Sequence, residues 1–290
     1  TGSNVTASGA ISGVTTLTLA SVGGTATLSA DVDVTTLTVG NTVANVAFTG
    51  NGSSVTNAFT PANDGTFIFG ASGGTQTYNG GLTTTSVDGT VTLNGTIATS
   101  NDAIVFGAVT LGSNVTIDTN ATSTTGDITI GAVTGGSNTL TLSTGNNIAN
   151  SDITASGNIS GVTTLTLADV GGTASFSADV DVTTLTVGNT VANVSLTGSG
   201  SSVTNAVTFG NDGTLTIGDA SGDTFTFDGG LTENTSGTVT LAGSIDSSND
   251  VISFGAITLA AATTIDTNAT NTTGDITIGA VTGNNNNLTL

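Results

Sequence analysis

Residues 5–50, VTASGAISGVTTLTLASVGGTATLSADVDVTTLTVGNTVANVAFTG, return at 153–198 as ITASGNISGVTTLTLADVGGTASFSADVDVTTLTVGNTVANVSLTG. The offset is 153 − 5 = 148 residues, and it also carries Gly126 to Gly274 in TTGDITIGAVTG. Near Gly80 and Gly229 it becomes 149 for a few residues and then returns to 148, as an insertion in a surface loop would produce. The chain is therefore one unit, residues 1–148, followed by most of a second, residues 149–290. A fixed period of this kind is the mark of a repeat architecture.

Inside each unit a shorter pattern runs. Apolar pairs separated by one residue recur at Leu17 and Leu19, Ala26 and Leu28, Leu37 and Val39, Val46 and Phe48, and Phe67 and Phe69, with six intervals in the 59 residues from Leu17 to Gln76. A spacing of about ten residues is that of a strand plus a tight turn. Gly-Gly, Gly-Asn, Asn-Gly and Ser-Gly pairs separate the strands, and these residues tolerate the positive φ of sharp corners.

The two copies test which side chains face inward. Leu28 becomes Phe176, Phe48 becomes Leu196, Phe67 becomes Leu215 and Phe69 becomes Ile217, so these positions stay large and apolar. Ile68 becomes Thr216 and Val105 becomes Ser253, each between apolar neighbours, as expected on the outer face of a period-two strand. β-Branched residues dominate, Gly numbers 42, and no sustained 3.6-residue stripe is present, so no helix is expected.

The pattern predicts an all-β fold, a parallel, right-handed β-solenoid, with tandem β-sandwich domains as the alternative. A sandwich needs large side chains to fill a gap of about 10 Å between sheets, and only 4% of residues here are aromatic. Face-on stacking of units predicts a whole number of coils in each, about five of roughly 30 residues or about seven of roughly 21. At about 4.8 Å per coil the rod would be on the order of 50 to 70 Å long. Uncapped ends expose strand edges, so self-association or continuation by further repeats is expected.

Composition removes most chemistry. The chain has 20 Asp and Glu, a formal charge of -20, and no Lys, Arg, His, Cys, Met or Trp. Nucleic acid is excluded as a partner, because its binding rests on cationic side chains that displace counterions. Zinc ligands, a thiolate nucleophile and a Ser-His-Asp relay are missing too. With 36% hydrophobic residues and 7% charged, the chain has enough apolar surface to fold. It carries no initiator Met, no basic stretch before an apolar run and no apolar run near the roughly 18 residues of a membrane helix, so a mature or excised segment without membrane insertion is expected.

The runs SGNISGVTTLTL, TTGDITIGAVTGGSNTLTLSTGNNI and VGGTASFSADVDVTTLTV resemble the repeat regions of filamentous haemagglutinin-like and autotransporter passenger proteins, the β-strand repeat surface proteins of bacteria. The resemblance covers nearly all of the chain. It implies a right-handed parallel β-helix at the bacterial cell surface, acting as a structural or adhesive segment. It brings no catalytic residues with it.

Candidate sites are few. Asp31 and Asp33, with their copies Asp179 and Asp181, place two carboxylates about 7 Å apart on one strand face, a spacing suited to Ca²⁺. Asp118 with Asp266, Asp127 with Asp275, and Asp64 with Asp212 are weaker loop candidates. The alternative is that all of them are solvated residues that keep a rod soluble. Apart from Ca²⁺ no cofactor is expected. The acids recur with the repeat instead of gathering in one irregular cleft, and no enzyme is expected. Outward Thr18, Thr27, Thr38 and Thr77 form a possible ice- or polysaccharide-binding array, and the loop from Thr83 to Asp88 a possible glycan contact. The leading expectation is an extracellular structural rod or filament segment, and the second a carbohydrate- or surface-binding adhesin module.

Overall fold

The computed structural model describes residues 2–123, 126–145, 148–270 and 273–290. These residues form a parallel β-solenoid of about 13 turns with no helix. Following one ladder shows how the stack is built. Val5 pairs with Ala26, Ala26 with Val46, Val46 with Phe67, Phe67 with Val91, Val91 with Val109, Val109 with Val133, and Val133 with Ile159. Coil length along this ladder runs from 18 residues, Val91 to Val109, to 26, Val133 to Ile159. Corners absorb the difference, so the strands stay in register while loops lengthen outward. At about 4.8 Å per coil the stack is about 60 Å long.

Each coil has three sides. The first holds Val5 and its ladder. The second holds Ile11, Val32, Gln76, Ile97, Ile117 and Leu142, and the third Phe59, Leu82, Ile104, Ile128 and Ile153. All three are made alike, with alternate residues turned inward. Strand Val91–Ala98 alternates buried and half-buried residues along most of its length, and the strand Ile11–Leu28 passes around corners by local shifts of register, one of them beside Gly13, whose φ is +72°. Leu28, Phe48, Phe67, Phe69 and their copies Phe176, Leu196, Leu215 and Ile217 are all buried, whereas Ile68, Val105, Thr216 and Ser253 are half-exposed, as alternation predicts. One hydrophobic cluster runs from Leu19 to Ile265 through both copies.

The expectation of a whole number of coils per unit is overturned. Val5 to Val133 is six coils along the first side, and Ile153, the copy of Val5, lies two sides further on. Ile11 stands on the second side, but its copy Ile159 continues the first. The unit is thus six and two-thirds coils, and the second copy is turned by a third of a coil against the first. The core tolerates this because the three sides present the same inward apolar pairs, so a third of a turn lays one apolar column on another.

Candidate functional site

The acids and amides do a repeated structural job at the corners. In coil after coil, an Asn or Asp just before the first inward residue of a strand accepts a hydrogen bond from the backbone N–H of the corresponding residue one coil on. Asn4 Oδ1 accepts from Thr25 N at 2.8 Å, Asn45 Oδ1 from Thr66 N at 3.0 Å, Asp152 Oδ1 from Thr173 N at 2.7 Å and Asn193 Oδ1 from Thr214 N at 2.8 Å. Asp31 Oδ1 takes Gly52 N at 2.7 Å and Asp179 Oδ1 takes Gly200 N at 2.8 Å in the same way. This bond satisfies a corner N–H that the strand ladder leaves over. Period-two alternation does not reveal it. What could have revealed it is the recurrence of Asn or Asp immediately ahead of successive apolar pairs.

Each predicted acid pair is therefore split. Asp31 and Asp179 clamp the next coil, while Asp33 and Asp181 line two matching surface grooves. The first, of about 420 Å³, is lined by Val14, Thr15, Asp33, Thr35, Ser54 and Thr56, and the second, of about 310 Å³, by Val162, Thr163, Asp181, Thr183, Ser202 and Thr204. Residue by residue these are copies of one another. Because the second unit is turned, the two grooves open on different sides of the rod: Asp33 lies beside Val32 on the second side and Asp181 beside Val180 on the first. Burial, and then the charge of Asp179, raise the Asp181 pKa above the ordinary carboxylate value, while a bond from the Ser202 backbone offsets part of this.

The weaker acid candidates stay apart. Asp118 and Asp266 each accept the N–H two residues on, at 2.8 and 2.7 Å, closing local turns. Asp127 Oδ1 accepts from Asp152 N at 3.0 Å, and Asp64 and Asp212 are exposed corner residues. Asp275 is exposed as well. Among the described residues no three acids come together in a group able to hold a metal ion. Asp246 and Asp266 do face each other in adjacent coils. Burial raises the Asp246 pKa, the Asp266 charge raises it further, and the Ser244 hydroxyl, 3.0 Å away, offsets part of this.

The four threonines fall on three sides instead of one. Thr18 and Thr38 are ladder partners, Thr27 stands between Ala26 and Leu28 on the first side, and Thr77 belongs to the second. The loop from Thr83 to Asp88 is tied into the stack: Thr84 N donates to Val105 O at 2.9 Å and Asp88 N to Asn63 O at 3.1 Å.

A polar pair sits in the core itself. Gln76 is fully buried on the second side, where its Nε2 donates to Phe48 O at 2.9 Å and Gly50 O at 3.2 Å, and its Oε1 accepts from the Tyr78 hydroxyl at 2.9 Å. Burial pushes the Tyr78 phenol well up, so it remains a donor. In the second copy both residues change together, to Phe225 and Phe227, and both of these are buried too. No protein-family model, curated protein or solved structure matches the chain.

Proposed function

We propose that the chain is a stiff structural segment of an exported bacterial surface protein, a rod that spaces or builds a filament outside the cell. The observation that carries this reading is the single hydrophobic cluster that crosses from one copy to the next without a cap or a break. A column that extends by adding copies of one unit is the economical way to make length, and each coil is held only by its neighbours. The acid-rich surface fits an exposed fibre, because like charge discourages sideways pairing of strands. The chain offers no Lys or Arg to a trypsin-like protease. The reading is structural and not enzymatic, since the acids are spread along the rod, with Asp31, Asp152 and Asp179 serving as acceptors for the next coil.

A second reading is favoured by one observation, the hydroxyl-lined groove that occurs once in each copy with Asp33 or Asp181 in its wall. Hydroxyl and carboxylate groups at a shallow groove suit a glycan, and two grooves on different sides would bind two chains of it. Small-angle scattering tests the rod: a particle about 60 Å long is expected, and a compact particle would remove the reading. A glycan array tests the groove, with loss of signal in the Asp33→Ala, Asp181→Ala double variant as the expected result if it binds.

A further inference from the structure

Four of the large apolar residues left exposed lie in the first and last coils of residues 1–290: Val5 at 43%, Val14 at 39%, Val281 at 44% and Leu290 at 69%. Their copies are Ile153, Val162, Val133 and Leu142, and every one is buried at 2% or less. These copies meet where the first unit hands over to the second. There Ile128 pairs with Ile153, Val133 with Ile159 and Leu140 with Leu165. Shifting each upstream residue on by 148, and each downstream residue back by 148, gives Ile276 with Val5, Val281 with Ile11 and Leu288 with Leu17. The last coil thus carries one half of the internal junction, and the first coil carries the other.

We infer that the last coil of this chain docks onto the first coil of a second copy, in the register Ile276 to Val5, Val281 to Ile11 and Leu288 to Leu17. The inference rests on the rod reading and names its partner. Continuity with the internal junction supplies the argument: the docked edge would reproduce a contact that the fold already makes once. Strand-edge groups find the same partners. At the internal junction Val133 N donates to Asn158 O at 2.8 Å and Gly135 N to Ser160 O at 2.7 Å, and the docked equivalents are Val281 N to Ala10 O and Gly283 N to Ser12 O. The junction also sheds a charge. Asp152, which meets Asp127 inside the chain, is replaced at the end by Asn4, which would meet Asp275.

Two glycines show how closely the halves are made to fit. A Cβ on Gly157 would lie 2.4 Å from Ala132 N, and one on Gly135 would lie 2.4 Å from the Gly161 carbonyl carbon, so backbone passes against backbone at the internal junction. Their copies in the first and last coils of residues 1–290 are Gly9 and Gly283. A Cβ on Gly9 meets nothing within 4 Å, and one on Gly283 meets only Asn286 O at 3.6 Å. Gly9→Ala and Gly283→Ala therefore leave the single chain intact and clash only in the docked pair.

Docking in this register advances the stack by twice six and two-thirds coils per chain. The axial repeat is about 64 Å, with each chain turned by a third of a coil against the last. The test is sedimentation velocity and negative-stain microscopy of the 290-residue chain at rising concentration, with added salt to screen its charge. The expected result is filaments of one rod's width with a repeat of about 64 Å, lost in both Gly9→Ala and Gly283→Ala. A chain that stays monomeric overturns the docking while leaving the rod standing, provided that scattering still gives a rod about 60 Å long. Filaments that persist unchanged in the two glycine variants overturn it as well, because they would be joined in some other register.

Discussion

The first copy packs its middle coils with one cluster of touching rings, and the second keeps Phe209, Phe225, Phe227 and Phe254 there but puts branched aliphatic chains, Val207, Leu215 and Ile217, at three places of that cluster. Phe59 stacks on Tyr78 at 5.6 Å, Phe67 on Phe69 at 4.1 Å, and Phe69 also meets the edges of Phe59, Tyr78 and Phe106. The corresponding residues in the second copy are Val207, Leu215, Ile217, Phe227 and Phe254, and one ring pair remains among those described, Phe209 with Phe227 at 6.1 Å. Phe209 takes the place of Pro61, two residues beyond the place of Phe59, so a ring has moved along its strand while staying on the inner face. Elsewhere the exchange is between coils. Leu28 lies against Phe48, and their copies Phe176 and Leu196 lie in the same ladder with the sizes reversed. One backbone accepts two cores because each substitution is balanced by a neighbour, as close packing requires.

The largest effect that separates the copies is expected at Phe69. Phe69→Ala empties a site surrounded by four rings and should cost about 3–5 kcal/mol, measured as a fall in the denaturation midpoint. Ile217→Ala, the same change in the second copy, should cost less. Equal losses would mean that the ring cluster adds nothing beyond its volume.

Next comes the buried polar pair. Tyr78→Phe leaves Gln76 Oε1 without its donor and should cost about 1–3 kcal/mol. Adding Gln76→Phe makes the second copy's pair, and the double variant should recover most of that loss. A double-mutant cycle is expected to give a coupling of about 1 kcal/mol or more, and additive costs would show that the two residues do not act as a unit.

The Leu28 and Phe48 exchange makes a smaller change. Leu28→Phe alone overfills its layer at about 1–3 kcal/mol. With Phe48→Leu added, the pair should come back to within about 1 kcal/mol of the parent, by the same measurement.

The smallest effect is electrostatic. The folded state raises the pKa of Asp246 above the ordinary carboxylate value, so it holds its proton more tightly than the unfolded chain does. The folded form is favoured where Asp246 is protonated, and that benefit is lost as pH rises from the ordinary carboxylate range through the raised value. Asp246→Ala gives the second copy the residue of the first, Ala98, and should flatten the pH dependence of unfolding in that window. An unchanged profile would mean that Asp266 and burial leave Asp246 untouched.

Much of this was legible in the residues. The inward positions, the parallel coils and the 148-residue copy follow from alternation and self-similarity alone. The phase was not. Apolar pairs spaced by about ten residues pick out Leu17, Ala26, Leu37 and Val46, and pass over the side that begins at Val32 and Val34, whose flanking Asp31 and Asp33 draw attention as a site. Three sides of similar composition carry no label saying which lies over which, so the turn between copies waits for the ladder of hydrogen bonds. The role of Asp31 and Asp179 was hidden for the same reason, since the N–H each one accepts from belongs to the next coil, 21 residues away.

The third-of-a-coil turn between the copies is tested most directly across their junction. The protein has no cysteine, and Thr134 and Ser160 are exposed ladder partners in adjacent coils. With both changed to cysteine they should form a disulfide on mild oxidation, because neighbouring strands hold their Cα atoms within bridging range. In a stack of whole coils Thr134 would face Thr154 instead. Bridging of residues 134 and 160, with none between 134 and 154, is the predicted result; bridging of 134 to 154 would contradict the account.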